Sequence, residues 1–360
     1  MTAPLTVRSV EATLVLVPMR RPLGTSAARI AEAPLLLIDV HTEQGVTGRA
    51  YLFCYLESAG HAALALVRDV DTVLAGTSAS PALVRQVLES RFKLLGVRGL
   101  VSAVLAGVDA ATWDAVAIAA GLPLARLLGC SLRPVPAYNS NGLGLIEPAA
   151  AAAEAQELVA EGFRAIKLRL GRPSAADDLT AVRAVRAAIG PDVALMADYN
   201  QALDLVAAQD RLRALDDEGL YWIEEPVRHD DYAASARLAA TLRTPIQIGE
   251  NFAGPRDMAR ALRRRASDLV MPDLERIGGV TGWRTAVGMA DVPVSSHLYP
   301  EVSVHLLAAT PTAHWLEFVD WADPILREPL RIVDGHATPP DRPGNGMAWD
   351  DAAVARFRIG

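Results

Sequence analysis

The chain has 360 residues, 51% of them hydrophobic, a formal net charge of −7 and two cysteines. That length suits one large domain or a barrel carrying a smaller one. Modest acidity without a basic patch argues against a nucleic-acid partner. Cys54 and Cys130 cannot build a disulfide framework, which points to a reduced, cytoplasmic setting. No apolar run reads as long enough to cross a membrane, and Met1–Val10 is polar and mixed, unlike a signal peptide.

In chain order, residues 34–53 read as a hairpin: Leu35–Val40 as one strand, Glu43-Gln44-Gly45 as the turn, Val46–Phe53 as the return. From Ser58 to about Leu128, apolar residues at spacings of three and four predict helices. Residues 1–130 are therefore expected to form an α+β domain. From Val135 short apolar runs alternate with helical stretches. Strands are predicted at 135–139, 165–169, 193–197, 221–224, 245–249, 268–272, 292–295 and 315–318. Helices are predicted at Pro148–Glu161, Ala176–Ile189 and Val206–Glu218, and a brief one after the sixth strand. This rhythm predicts an α/β fold with a TIM-like barrel over 131–324. The Pro- and Gly-rich stretch 325–360 is expected to pack back on the first domain.

Three acids close three of the apolar runs at equal intervals. Asp198, Glu224 and Glu250 stand 26 residues apart, about the length of a strand, a helix and two loops. Placed at the ends of successive parallel strands they converge, and converged carboxylates call for a hard divalent cation bound through oxygen. Other strand ends carry Ser140 and Asn141, Lys167 and Arg169, Asn200, Asp273, His297 and Glu317. Lys167 and Arg169, two apart on a strand, share a face. Lysine is scarce: of 35 Lys plus Arg, only Lys93 and Lys167 are lysines. Arginine replaces lysine cheaply except where a compact, titratable ammonium is needed, which marks Lys167. Taken singly, a strand-end acid is more often a helix cap or a solvated loop residue, Glu225 a salt-bridge partner, and His305 and His314 packing residues. Ionisable groups at seven strand ends of eight are harder to assign to chance.

Long ordered segments carry a family resemblance. They include Gly162-Phe163-Arg164-Ala165-Ile166-Lys167, Asp198-Tyr199-Asn200-Gln201, Trp222-Ile223-Glu224-Glu225-Pro226, Gly249-Glu250-Asn251, Met271-Pro272-Asp273, Ile277-Gly278-Gly279-Val280-Thr281-Gly282-Trp283, Ser295-Ser296-His297-Leu298 and the run from His305 to Glu317. The chain resembles the enolase superfamily, mandelate racemase subgroup, over nearly its whole length. The resemblance implies a (β/α)7β barrel under an N-terminal α+β capping domain, and a homo-oligomer, commonly an octamer. It implies Mg²⁺ on Asp198, Glu224 and Glu250, and a small-molecule carboxylate substrate that coordinates the metal. Lys167 and the metal would stabilise the enediolate, Glu317 would donate a hydrogen bond if kept protonated, and Ser140 would help hold the carboxylate. His297, oriented by Asp273, would be the base.

One position departs from that pattern. Mandelate racemases carry Lys-x-Lys on the second strand, and the second lysine serves the opposite face. Here the pair is Lys167-Leu168-Arg169. Arginine titrates above ~12, so Arg169 is a poor base. Mandelate-type racemisation through Arg169 is the first reading. Acid-sugar dehydration with His297 as sole acid/base is the second, and a non-catalytic Mg²⁺ and carboxylate binder the third. Around the substrate, a lid segment Leu23–Glu32 with Arg29, and Phe53, Tyr55, Leu298 and Phe318, are expected to line an apolar pocket. Arg29, Asn141 and Asn200 are candidates to read polar substituents.

Overall fold

The structure is a computed structural model that describes residues 4–359. It opens on an antiparallel three-stranded sheet: β1 (Val7–Gly24), β2 (Arg29–Thr42) and β3 (Thr47–Phe53). The hairpin read from sequence is β2–β3, with β2 starting earlier than expected. β1 was not foreseen. Its period-two burial at Val15, Val17, Met19, Arg21 and Leu23 is plain in the structure, but Pro18 and Pro22 demote it in sequence. The β1–β2 register is interrupted between Pro18 and Leu23, where those prolines are accommodated.

Helices α1 (Glu57–Leu74), α2 (Pro81–Arg91), α3 (Gly99–Ala119) and α4 (Leu124–Leu127) follow. The expectation that no apolar run could span a membrane is corrected by α3, whose 21 residues are long and apolar enough by composition. Its apolarity has a local cause: 72% of its most apolar window is buried inside the fold. Gly48 explains how closely α3 lies on the sheet. A Cβ there would meet the Ala111 carbonyl oxygen at 2.0 Å, so only glycine lets β3 and α3 approach.

The barrel strands are β4 (Val135–Asn139), β5 (Ala165–Arg169), β6 (Ala194–Asp198), β7 (Ile223–Glu224), β8 (Ile246–Ile248) and β9 (Leu269–Val270), all paired in parallel and in order. Between them run α5 (Pro148–Ala160), α6 (Ala175–Ile189), α7 (Leu205–Leu215), α8 (Tyr232–Thr241) and α9 (Pro255–Arg263). The brief sixth helix is two pieces, α10 (Leu274–Ile277) and α11 (Gly279–Val287), broken at Gly278 and Gly279, which take φ of 96° and 70°. A Cβ on Gly279 would strike Asp109 of α3, so the break is where barrel and α3 touch.

Residues 292–295, predicted as a full strand, make only single-residue bridges. Val294 bridges Val270 on one side and Ala313 on the other. Pro293 has no N–H to extend the ladder. After α12 (Pro300–Ala308), β10 (Leu316–Phe318) returns to pair with β4 and closes the ring. Eight strand positions with seven helical connections make the (β/α)7β arrangement.

The C-terminal stretch holds the two parts together. β11 (Ile332–Val333) and β12 (His336–Ala337) form a hairpin on the start of β4. Beyond it, Asn345 N–H donates to Asp114 of α3 at 2.6 Å, and Trp349 Nε1 donates to Asp39 of β2 at 2.9 Å. After α13 (Asp351–Phe357), Ile359 N–H donates to the Leu14 carbonyl.

His305 of α12 joins this junction from the barrel side. Its Nδ1 accepts from Ala125 N–H and its Nε2 donates to the Asn345 carbonyl, both at 3.1 Å, which fixes the neutral tautomer. Burial holds its pKa down, at about 4. A histidine depressed from 6.5 to about 4 binds its proton in the unfolded chain first, so its contribution is lost as pH falls through that window. His305→Gln is expected to lose part of the stability difference between pH 7 and pH 5 measured by urea unfolding. An unchanged difference would remove His305 as its source.

Candidate active site

The three acids meet at the C-terminal end of the barrel. Asp198 ends β6, Glu224 ends β7, and Glu250 follows β8 after the sharp Gly249 (φ 138°). One carboxylate oxygen from each lies within 4.8 Å of the others. Each is oriented from outside. Asn200 donates to Asp198 from its backbone N–H at 2.8 Å and its Nδ2 at 3.0 Å; Trp222 Nε1 and Gln247 Nε2 donate to Glu224; Asn251 Nδ2 donates to Glu250 at 3.1 Å. Burial and then the Asp198 charge push Glu224 well above its ordinary pKa. An all-oxygen, mutually repelling donor set of this kind fits a hard divalent cation such as Mg²⁺.

Lys167 stands beside this triad, fully buried. Its Nζ lies 2.7 Å from Glu224, 2.8 Å from Glu317 and 3.3 Å from Asp198. Burial alone would lower its pKa, but Glu224, Glu317 and Asp198 outweigh it and hold the ammonium charged. Glu317, on β10, accepts from Lys167 with one oxygen and from Leu298 N–H with the other, at 2.8 Å. Burial would raise it, yet Lys167 and His297 prevail and hold it below the ordinary range.

His297 completes the cluster. Nδ1 meets Asp273 Oδ2 at 2.6 Å, while Nε2 points inward, 3.3 Å from Glu250 and 3.8 Å from Glu317. Asp273 is fixed in turn, because its Oδ1 caps α10 by accepting from Arg276 N–H at 3.0 Å. Burial pulls the imidazole pKa down, but Glu317, Glu250 and Asp273 raise it to about 9.

Arg169 reaches the same space from β5, and its head is occupied. Nη1 donates to the carbonyls of Ser140 and Gly142 at 3.0 and 2.8 Å, and Nη2 to Ser140 Oγ at 3.1 Å. Ser140 is thus Arg169's partner and does not line the cavity. That cavity, about 190 Å³, is bounded by Leu23, Thr25, Ala27, Ala28, Ile30, Tyr55, Lys167, Arg169, Asp198, Asn200, Gln201, Glu250, Asn251, Arg276, His297, Leu298, Glu317 and Trp321. Two expected polar readers are corrected. Arg29 is exposed outside it, and the Asn141 side chain is turned to accept from Asp320 N–H at 3.2 Å. Phe53 and Phe318 are also behind the wall. Phe53 packs between Tyr55 and Trp321, and Phe318 against Phe163. Sequence reasoning missed Arg276, Trp321, Gln201 and Asn251. Arg276 had a legible signal, since it lies three residues after Asp273 and so on the first turn of the next helix.

Strained backbone gathers here. Tyr55, Asn200, Gln201 and Leu298 line the cavity with φ between 45° and 65°, a conformation non-glycine residues hold only when surroundings impose it. The lid turn is seated by Ser26 Oγ, which donates to the Tyr199 carbonyl at 3.1 Å.

Removing the Lys167 ammonium leaves Asp198, Glu224 and Glu317 facing each other. Lys167→Met is expected to destabilise the metal-free protein by about 3–5 kcal/mol in urea unfolding. Wild-type stability in that variant would show that the ammonium is not what holds the cluster.

Known proteins resemble the chain over most of its length. The mandelate racemase / muconate lactonizing enzyme N-terminal domain matches residues 8–129, and the enolase C-terminal domain-like family matches 150–353. A crystal structure of an enolase from alpha pretobacterium bal199 with bound Mg is 48% identical, with TM-score 0.96 over 99% of this chain and 100% of that one. An enolase from Bradyrhizobium, complexed with magnesium and mandelic acid, is 42% identical, with TM-score 0.95 over the whole of both chains. The L-talarate/galactarate dehydratase of Salmonella typhimurium is 36% identical over 72% of this chain and 66%, just under two thirds, of its own length. With a carboxylate triad suited to Mg²⁺ and relatives that are lyases and isomerases, the chain is an enzyme of one of those classes, and it belongs to the enolase superfamily, in its mandelate racemase subgroup.

Proposed function

We propose that the protein removes the α-proton of a 2-hydroxy carboxylate with His297 as its one base, and completes the reaction by eliminating a β-hydroxyl, the dehydration of an acid sugar. The observation that carries this reading is the environment of Arg169. The Ser140 and Gly142 carbonyls accept from Nη1 and Ser140 Oγ accepts from Nη2, which fixes the head in place. A guanidinium locked in this way is a poor second base for that side.

The chemistry follows from the residues. Bound Mg²⁺ would polarise the substrate carboxylate and offset the pull of Glu250 on the His297 proton. The α C–H bond breaks and its proton passes to His297 Nε2, held in line by Asp273. The electron pair moves toward the carboxylate, where the Lys167 ammonium faces it. It then returns to form a Cα–Cβ double bond as the β C–O bond breaks. The departing hydroxyl takes the proton back from Nε2 and leaves as water. The enol so formed tautomerises to a 2-keto acid, and the balance is one hydroxy acid to one keto acid and one water. Arg169 Nε and Asn200 Oδ1, buried without a hydrogen-bond partner among the described residues, remain to meet polar groups of the substrate.

Racemisation of an aryl 2-hydroxy acid is the second reading. It is favoured by the apolar and aromatic wall of Leu23, Ile30, Tyr55, Leu298 and Trp321, and by the mandelic acid bound in the Bradyrhizobium neighbour.

The test is incubation of the Mg²⁺-loaded enzyme in D₂O with mandelate and a panel of 2,3-dihydroxy acids, followed by NMR, optical rotation and keto-acid assay. Keto acid from a dihydroxy acid, with mandelate retaining its configuration, is the expected outcome. Loss of mandelate rotation without keto acid would establish the racemase instead.

A further inference from the structure

Glu225, the second acid of Trp222-Ile223-Glu224-Glu225, has no part in the reaction above, yet it is fully buried beside the metal triad. Among the described residues no cation pairs with it. Its Oε2 accepts from Asn251 Nδ2 at 2.7 Å, and its Oε1 takes a long contact of 3.4 Å from Gly249 N–H. Asn251 Nδ2 is shared: its other contact is Glu250 Oε1 at 3.1 Å. One amide nitrogen therefore sits between a metal-ligand carboxylate and a second, uncompensated one.

The rest of Asn251 is pinned. Its Oδ1 accepts from Arg276 Nη1, which also donates to the Glu250 backbone carbonyl at 3.2 Å. The amide orientation is unambiguous, because only one assignment turns the donor to two carboxylates and the acceptor to a guanidinium. Arg276 is held from its far side by the Tyr55 ring, 5.4 Å away. The chain of contacts thus runs from the capping domain, through Tyr55, Arg276 and Asn251, to Glu250 Oε1. Among the described residues, Asn251 makes the only side-chain hydrogen bond to the Glu250 carboxylate apart from the charged contact with His297.

We propose that Asn251, locked by Arg276, is a positioning residue that aims the Glu250 carboxylate at the metal. This rests on the triad as the Mg²⁺ site and is independent of which reaction follows. Without the amide, Glu250 can rotate, and two neighbouring carboxylates lose the donor they share. Arg276 acts at one remove, by holding Asn251 in the orientation that serves both acids.

The test is calorimetric titration of metal-free protein with MgCl₂ alone, for wild type, Asn251→Ala, Arg276→Lys and the double variant. Asn251→Ala is expected to weaken Mg²⁺ binding ~10–100-fold, the usual cost of losing an outer-shell partner, while the melting temperature of the metal-free protein stays near wild type. Arg276→Lys keeps the charge but its shorter side chain holds Asn251 Oδ1 less firmly, so it shows a smaller loss in the same direction. The double variant is no worse than Asn251→Ala, because both changes break one chain. If Asn251→Ala does not fold, Arg276→Lys carries the test. Wild-type Mg²⁺ affinity in the folded variants, or a loss of affinity that only follows a loss of melting temperature, would overturn the proposal. No substrate is present, so failure here leaves the reaction assignment untouched, and failure of that assignment leaves this one standing.

Discussion

The site is organised around one buried ammonium. Lys167 is the point at which Asp198, Glu224 and Glu317 can coexist inside the barrel, each within 3.3 Å of its Nζ. Three carboxylates desolvated together would otherwise protonate or move apart. This accounts for a compositional oddity: a chain that uses arginine almost everywhere keeps lysine here. A guanidinium is too broad and too directional to serve three carboxylates from the centre of the cluster. The same ammonium ties β5 to β6, β7 and β10, so it joins the strands that carry the chemistry as well as the charges themselves.

The second requirement is that two separately built parts close over that cluster. Leu23, Ile30 and Tyr55 come from the first sheet and its loops, whereas Asn200, Arg276, His297 and Trp321 come from the barrel. The broken helix at Gly278 and Gly279, which meets Asp109 of α3, and the C-terminal anchors at Asp114 and Asp39 hold the two in register. Residues in strained conformations then line the cavity, where packing from both parts can impose them.

Much of this was legible in sequence, and the reasons are physical. Asp198, Glu224, Glu250, Asp273, His297 and Glu317 were readable because each ends a short apolar run, and a parallel barrel sends such positions to one face. Strand β1 was hidden by its prolines, and the seventh strand was overread because Pro293 denies it a ladder. Arg29 and Asn141 were misplaced because sequence gives a loop residue no direction. Arg29 points to solvent, and the Asn141 carbonyl oxygen is taken by Asp320 N–H. Arg276, Asn251 and Trp321 escaped notice because their importance lies in contacts between elements distant along the chain. The meaning of Arg169 was open in sequence. Its engagement with Ser140 and Gly142 is the observation on which we propose one-base chemistry.

The central claim is that a single residue, His297, exchanges protons with the substrate. It is tested most directly by following α-proton exchange in D₂O for each enantiomer of a substrate separately, in wild type and in His297→Asn. The account predicts exchange of one enantiomer in the wild type and of neither in the variant. Exchange of both enantiomers, or exchange that survives the loss of His297, would contradict it.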